Sequence, residues 1–278
     1  MPFIDIESEE DPRIEPFRSI RDRDLREGGA FIVEGEVVLP VLLGNKHFAT
    51  QALLLSKNRA QHLAGTLPES IPVYVASQQI LERIVGMPFH RGVLAVGARG
   101  RERTVDEVLT PASSLVLGLC GVTNHDNVGG IFRNAAAFGV DAVLYDEATC
   151  DPLYRKAIRV SSGGTLHVPF AQVPTEAAMI ELLVSRGYEV LALSPRGALI
   201  IGGQQRPKSS RVAFLLGAEG PGLSEETLKR CVTARIPMTG TWDSLNVSVT
   251  SGIALAWLRA NSSESDSPRS GEVVIGGA

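Results

Sequence analysis

Apolar positions along the chain come in short runs of four to seven residues, separated by longer stretches in which they recur with helical spacing. In the first hundred residues the runs Ala30–Val33, Gln51–Leu55, Val73–Ala76 and Arg91–Val96 predict strands. Lys57–Leu63 and Gln78–Val85 predict helices between them, the latter with Ser77 as N-cap. Glu34–Leu43 also has a helical pattern, although Pro40 would kink or end it. After residue 113 the same alternation is stronger. Strands are predicted at Ser114–Cys120, Asp141–Tyr145, Leu166–Phe170, Tyr188–Leu193 and Val212–Leu216, and a strand end at Ile236–Met238. Helices are predicted at Ile131–Phe138, Asp151–Val160, Thr175–Arg186, Ser224–Cys231 and Val247–Leu258. Strand and helix in turn indicate an α/β chain whose larger part is a mostly parallel, doubly wound sheet.

The pattern divides the chain. Residues 1–27 read as a charged N-terminal arm, with Arg18, Arg21, Arg23 and Arg26 alternating with Asp22, Asp24 and Glu27. Residues 28–100 read as a small α/β domain, 101–112 as a linker and 113–262 as the large sheet domain. Residues 263–278, rich in Ser, Gly and charge, read as a disordered tail.

Composition narrows the choices. A net charge of −4 over 278 residues excludes a surface coated in positive charge, so any nucleic-acid contact must be a local patch. Candidate members in the first part are Lys46, Lys57, Arg59, Arg91, Arg99, Arg101 and Arg103. Arg155, Lys156 and Arg159 form a second basic group, two of them on one helix face. Cys120, Cys150 and Cys231 are far apart and lack metal or redox spacing, which suits reduced thiols in a cytoplasmic protein. No secretory or transit segment is expected at the N-terminus, and no apolar stretch is long enough to span a bilayer.

Three stretches carry candidate chemistry. A polar, Gly-rich loop, Gly121–Gly130, precedes a helix bearing Arg133 beside small residues Gly129, Gly130, Ala136 and Ala137. That small-residue stripe would let a ligand or another chain approach closely. Gly217–Gly222 follows a buried strand but has neither phosphate-binding glycine pattern, and the carboxylate of Glu219 would repel phosphate. It suits a neutral or cationic ligand. Ser244-Leu245-Asn246 opens the last helix after a loose Thr239-Gly240-Thr241 segment, a usual place for a ligand in an α/β protein. His125-Asp126 lacks a third ligand at metal-binding spacing and reads as loop.

Together these stretches resemble the SpoU/TrmH family of RNA ribose 2′-O-methyltransferases, within the SPOUT superfamily. Asn127, Gly129, Arg133, Phe138 and Gly139 match its first motif. Leu216, Gly217, Glu219, Gly220, Gly222 and Leu223 match the second, and Ile236-Pro237-Met238 with Ser244–Val249 the third. Ala30–Val37 and Arg91–Ala95 are similar to the small substrate-binding domain of many members. The resemblance implies a SPOUT-type sheet with a deep trefoil knot, a homodimer whose active site draws on both chains, and S-adenosyl-L-methionine as cofactor. It implies cofactor contacts at Leu216, Gly217, Ile236, Met238 and Leu245. It implies a catalytic set of Asn127, Arg133, Glu219, Ser244 and Asn246 acting on ribosomal or transfer RNA, with no metal. In that set Arg133 would hold a phosphate and stabilise developing alkoxide charge, Asn127 would orient Arg133 or the ribose, and Glu219 would position the cofactor or neighbouring polar groups. Ser244 and Asn246 would complete the hydrogen-bond network round the reacting oxygen. The alternative is a knot protein that binds RNA or the ribosome without turnover.

Overall fold

The computed structural model describes residues 3–18, 22–86, 89–240 and 243–260; the tail expected after residue 262 lies outside them. The chain divides into two compact units, Met1–Glu102 with Leu153–His167, and Arg103–Pro152 with Val168–Ala278.

The first unit begins with β1 (Ile4–Ile6), a 3-10 helix (Pro12–Phe17), α1 (Asp22–Glu27), β2 (Ala30–Glu34) and α2 (Leu39–Leu43). It continues with β3 (Thr50–Ser56), α3 (Lys57–Leu63), β4 (Val73–Ala76), α4 (Gln78–Val85) and β5 (Val93–Ala98). The sheet order is β1-β4-β3-β5-β2. β1, β4 and β3 run parallel, while β5 pairs antiparallel with β3 and β2. Ser56 and Ser77 cap α3 and α4 by accepting from Arg59 N and Ile80 N. The N-terminal residues, expected as a charged arm, contribute to the core of this unit. Ile6, Ile14 and Phe17 are buried among Leu54, Leu81 and Leu94. Three apolar residues spread over twelve positions are too sparse to register as an element, yet each fills a gap in the core. Pro40 does not end a helix; it stands in the first turn of α2, where a missing N–H costs nothing.

The chain then forms α5 (Val105–Val108), β6 (Leu115–Cys120), α6 (His125–Ala137) and β7 (Ala142–Asp146). α5 falls within the segment expected to be a linker. The next stretch packs with the first unit as α7 (Arg155–Val160) and α8 (Gly164–His167). Ser162 and Gly163, both with positive φ (53° and 85°), turn the chain between them. α8 replaces the expected start of a strand at Leu166: Leu166 N and His167 N both donate to Gly163 O, and the strand begins only after Pro169. Asn45 Nδ2 donates to Leu166 O at 2.7 Å, tying α8 down.

The second unit resumes with β8 (Phe170–Val173), α9 (Glu176–Ser185), β9 (Glu189–Leu193), β10 (Leu199–Ile200) and β11 (Val212–Gly217). It ends with α10 (Glu225–Arg230), β12 (Val232–Arg235) and α11 (Val247–Arg259). Its seven strands lie in the order β10-β12-β9-β11-β6-β7-β8, and every recorded pairing is parallel. β6 and β11 are central and buried along nearly their whole length, which is why they read as unbroken apolar runs. Among the described residues no helix is long and apolar enough to cross a membrane.

Candidate active site

The site lies in the second unit, at the carboxyl ends of β9, β11 and β12, where ligands of open parallel sheets bind. A cavity of about 440 Å³ opens there, lined by the strand ends, the Gly217–Gly222 loop and the start of α11. Its walls include Leu216, Gly217, Ile236, Met238 and Leu245, the five positions expected to meet a cofactor. Glu219, Ser244 and Asn246 line it as well. Gly217 permits the fold of the loop: a Cβ there would stand 2.4 Å from Leu223 N and 2.5 Å from the Gly222 carbonyl carbon. The Ala218–Gly222 bridge closes the same loop.

A directional chain of side-chain amides stands behind this wall. Asn127 Nδ2 donates to Glu219 Oε1, and Asn246 Nδ2 donates to Asn127 Oδ1 at 2.8 Å. Asn246 Oδ1 accepts from Ser248 N (2.9 Å), Val249 N (3.3 Å) and Ser248 Oγ (2.8 Å), so one side chain both caps α11 and extends the chain. Asn127 is only 3% exposed, and both ends of its amide are matched within the protein. Residues 92 and 119 positions from Asn127 are thus held in one polarity, from the α11 cap to the loop carboxylate.

The backbone that presents Asn127 differs from the expected loop. α6 begins at His125, because Asn124 Oδ1 accepts from Asp126 N at 2.8 Å and Asp126 complements the positive end of the helix. Gly129 and Gly130 are therefore helical. Of the small-residue stripe, Ala137 is exposed and Gly130 meets α11 of the same chain: a Cβ on Gly130 would lie 2.8 Å from Ser248 Cβ. Asn134 Nδ2 seals the contact by donating to Ser248 O (2.7 Å) and Ser251 Oγ (2.9 Å). Asn134 is not among the residues the sequence singles out, and its i, i+4 spacing from Gly130 is the signal that could have found it. Nor are the lining residues Leu193, Ser194, Pro195 and Thr250, since adjacency of β9 to β11 is a property of the sheet.

Arg133 is apart from this network. It is exposed on α6, does not line the cavity, and has no hydrogen bond or ion pair among the described residues. Asn127 bonds to Glu219 and Asn246 rather than to Arg133. Along the helix Arg133 flanks the Gly130–Asn134 line that meets α11.

Burial pushes the Cys120 thiol well above its ordinary range and that of Cys150 up to about 12, so neither is a thiolate at neutral pH. Among the described residues no group of three or more His, Cys, Asp or Glu could hold a metal ion.

Comparison with known proteins agrees with this geometry. Residues 114–256 match the SpoU rRNA Methylase family. The chain is 37% identical over 263 residues to a tRNA/rRNA methyltransferase of Mycobacterium tuberculosis described as uncharacterized, covering 90% of this chain and 89% of that one. It is 34% identical over 193 residues to the 23S rRNA (guanosine-2′-O-)-methyltransferase RlmB of Acinetobacter baylyi, covering 68% and 78%. In fold it is similar to an AdoMet-bound rRNA methyltransferase from Sinorhizobium meliloti, with TM-score 0.78, 24% identity and coverage of 92% and 97%. On the matched motifs, the extent of the match and the cavity they build, this chain belongs to the SpoU rRNA methylase family of S-adenosyl-L-methionine-dependent RNA methyltransferases.

Proposed function

We propose that the protein methylates a ribose 2′-hydroxyl in structured ribosomal or transfer RNA. The observation that carries this reading is the convergence of Glu219, Ser244 and Asn246 on one cavity, with Asn127 bridging two of them from a third, distant segment. The relatives named as guanosine-2′-O-methyltransferases make 23S ribosomal RNA the first substrate to test.

The cavity fits S-adenosyl-L-methionine. Its volume is in the range of small-molecule sites. Leu216, Ile236, Met238 and Leu245 offer apolar surface to an adenine ring, and Glu219 offers a carboxylate to a cationic ligand. When bound, the cofactor supplies an electrophilic methyl group on a sulfonium. The chain's own residues must deliver the nucleophile. A 2′-hydroxyl is a poor nucleophile until its proton is shared or lost. A guanidinium is a donor with no acceptor site, so Arg133 acts not as a base but as a clamp on the neighbouring phosphate and a stabiliser of alkoxide charge. Its exposure and lack of partners among the described residues leave its donors available. Ser244 and Asn246 present hydroxyl and amide groups at the cavity wall, while Asn127 holds Asn246 and Glu219 in register.

The same reading includes a trefoil knot and a homodimer, in the cytoplasm. In support of a knot, Ile236, Met238 and the start of α11 line one cavity with the loop that follows β11, and α11 packs against α6. In support of a dimer, α11 carries exposed Val249 and Ile253 on one stripe, continued by exposed Leu245. A second copy covering that stripe would also give Arg133 a route to a shared site. Incubation with radiolabelled S-adenosyl-L-methionine and unmodified ribosomal or transfer RNA tests the proposal. Label at one alkali-resistant linkage is expected; label on a base, or none in any RNA despite cofactor binding, would refute it.

A further inference from the structure

In the first unit, three guanidinium groups surround one buried carboxylate. Glu34, at the end of β2, is 6% exposed. Arg155 Nε donates to its Oε2 at 2.9 Å, Arg159 Nη1 stands 3.5 Å from the same oxygen, and Arg91 Nε stands 3.6 Å from Oε1. Arg155 takes the one hydrogen bond, and the single charge of Glu34 cannot neutralise both Arg91 and Arg159 as well. Donors also outnumber acceptors. Each guanidinium has five N–H groups and one carboxylate has about four lone-pair sites. Of the three contacts only that of Arg155 is a full hydrogen bond. The side chains of Arg91 and Arg159 are 50% and 36% exposed, so their remaining donors face solvent. The adjacent Arg59 does not add to the excess, being paired with Glu36 at 2.7 Å.

Gathering like charges around a nearly buried group is costly unless the group or a ligand compensates them. Glu34 compensates one charge and gathers all three guanidinium groups within 3.6 Å of its carboxylate. We propose that Arg91 and Arg159, templated by Glu34 and backed by Arg155, form a binding site for a phosphodiester of the RNA substrate. This rests on the RNA methyltransferase reading and deepens it by naming residues remote in sequence from the methylation motifs. Guanidinium forks match phosphate oxygens bidentately. A chain of net charge −4 needs such local concentrations of positive charge to hold a polyanion. Arg155 and Arg159 sit on α7, which lies between β7 and β8 in sequence and yet packs in this unit. Its placement there completes the cluster.

The test is binding of in-vitro-transcribed 23S ribosomal RNA to the full chain across a potassium chloride series, for the parent, Arg91→Gln/Arg159→Gln and Glu34→Gln. Loss of two phosphate contacts should weaken binding at low salt by about ten- to a hundredfold and reduce the slope of log K against log salt by about 1.4 to 1.8. S-adenosyl-L-methionine affinity should be unchanged, since the cavity is in the other unit. Glu34→Gln adds to the net positive charge but removes the template, so it too should weaken RNA binding. Unchanged affinity and slope in the double variant would overturn the proposal while leaving the enzymatic reading intact. Tighter binding by Glu34→Gln would overturn the templated site in favour of a diffuse patch. If the parent methylates RNA but the double variant does so with unchanged KM, the proposal also fails. If the parent neither binds nor methylates RNA, both readings fail together.

Discussion

The amide chain from Asn246 through Asn127 to Glu219 has a polarity, and reversing it is a sharp test of the site. Asn246→Asp keeps the oxygen that accepts from Ser248 N and Val249 N. Asp and Asn are about equal as N-caps, so α11 should start normally. What is lost is the donor to Asn127 Oδ1, a bond of 2.8 Å. Asn127 is 3% exposed, so water does not replace that donor. If the Asn127 amide turns to donate to the introduced aspartate, its oxygen then faces the Glu219 carboxylate. Either arrangement strands one acceptor and costs about 1–3 kcal/mol, or about 2–12 °C in Tm for a domain of this size. Glu219→Gln alone keeps an acceptor for Asn127 and loses only the charge-assisted part, about 1 kcal/mol. The double variant Asn246→Asp/Glu219→Gln can run the chain backwards: the introduced glutamine donates to Asn127, and Asn127 donates to the introduced aspartate. Its urea stability should exceed the sum of the single effects by about 1–2 kcal/mol. Unfolding followed by the fluorescence of buried Trp257 would measure this. Additivity to within about 0.5 kcal/mol would show that the three side chains do not act as one directed chain.

Arg133→Ala should abolish methyl transfer while shifting stability by no more than about 0.5 kcal/mol, because an exposed side chain without partners among the described residues holds nothing in place; loss of cofactor affinity in calorimetry would reject its role. Gly217→Ala would push a Cβ into loop backbone, and the overpacking, about 1–3 kcal/mol, should cut S-adenosyl-L-methionine affinity by at least about fivefold in the same assay. Ile253→Asp on the exposed stripe of α11 should give monomers in sedimentation velocity, and an unchanged dimer would move the interface elsewhere. The raised thiols give a pH signature. With Cys150 held at about 12 when folded against 9.0 for an ordinary thiol, the unfolded state alone loses the proton between those values. Stability should therefore fall as pH rises from about 9, and Cys150→Ala should lessen the fall in urea midpoints between pH 8 and 10.

The elements were largely legible because most are long enough to show a period. α3, α4 and β4 stand where their apolar spacing puts them, α4 behind the expected cap Ser77. The failures share a cause. β1 and the 3-10 helix present too few apolar residues to form a pattern, and their burial depends on strands far along the chain. α6 starts well before its apolar stripe, at His125 rather than Ile131, because a cap and a close helix contact outweigh two glycines. α8 replaces the start of an expected strand because Gly163 accepts a helical turn that apolar content does not foretell.

The sequence by itself determined an α/β chain, the motif residues and the family to which they belong. It determined them because apolar period is local, and because a motif is a string of residue types in order. The tertiary structure alone decided which of those residues meet. Asn127, Glu219 and Asn246 are joined by hydrogen bonds whose donors and acceptors no local rule pairs. Arg133 stands apart from them, exposed, although it shares a helix with Asn127. Arg91 reads as one of several scattered charges, and Arg155 with Arg159 as a separate basic group, until strand pairing and the excursion of α7 bring them to one carboxylate. Side-chain chemistry is written along the chain, whereas electrostatic excess and hydrogen-bond direction are properties of distances, and distances between remote residues exist only once the chain has folded.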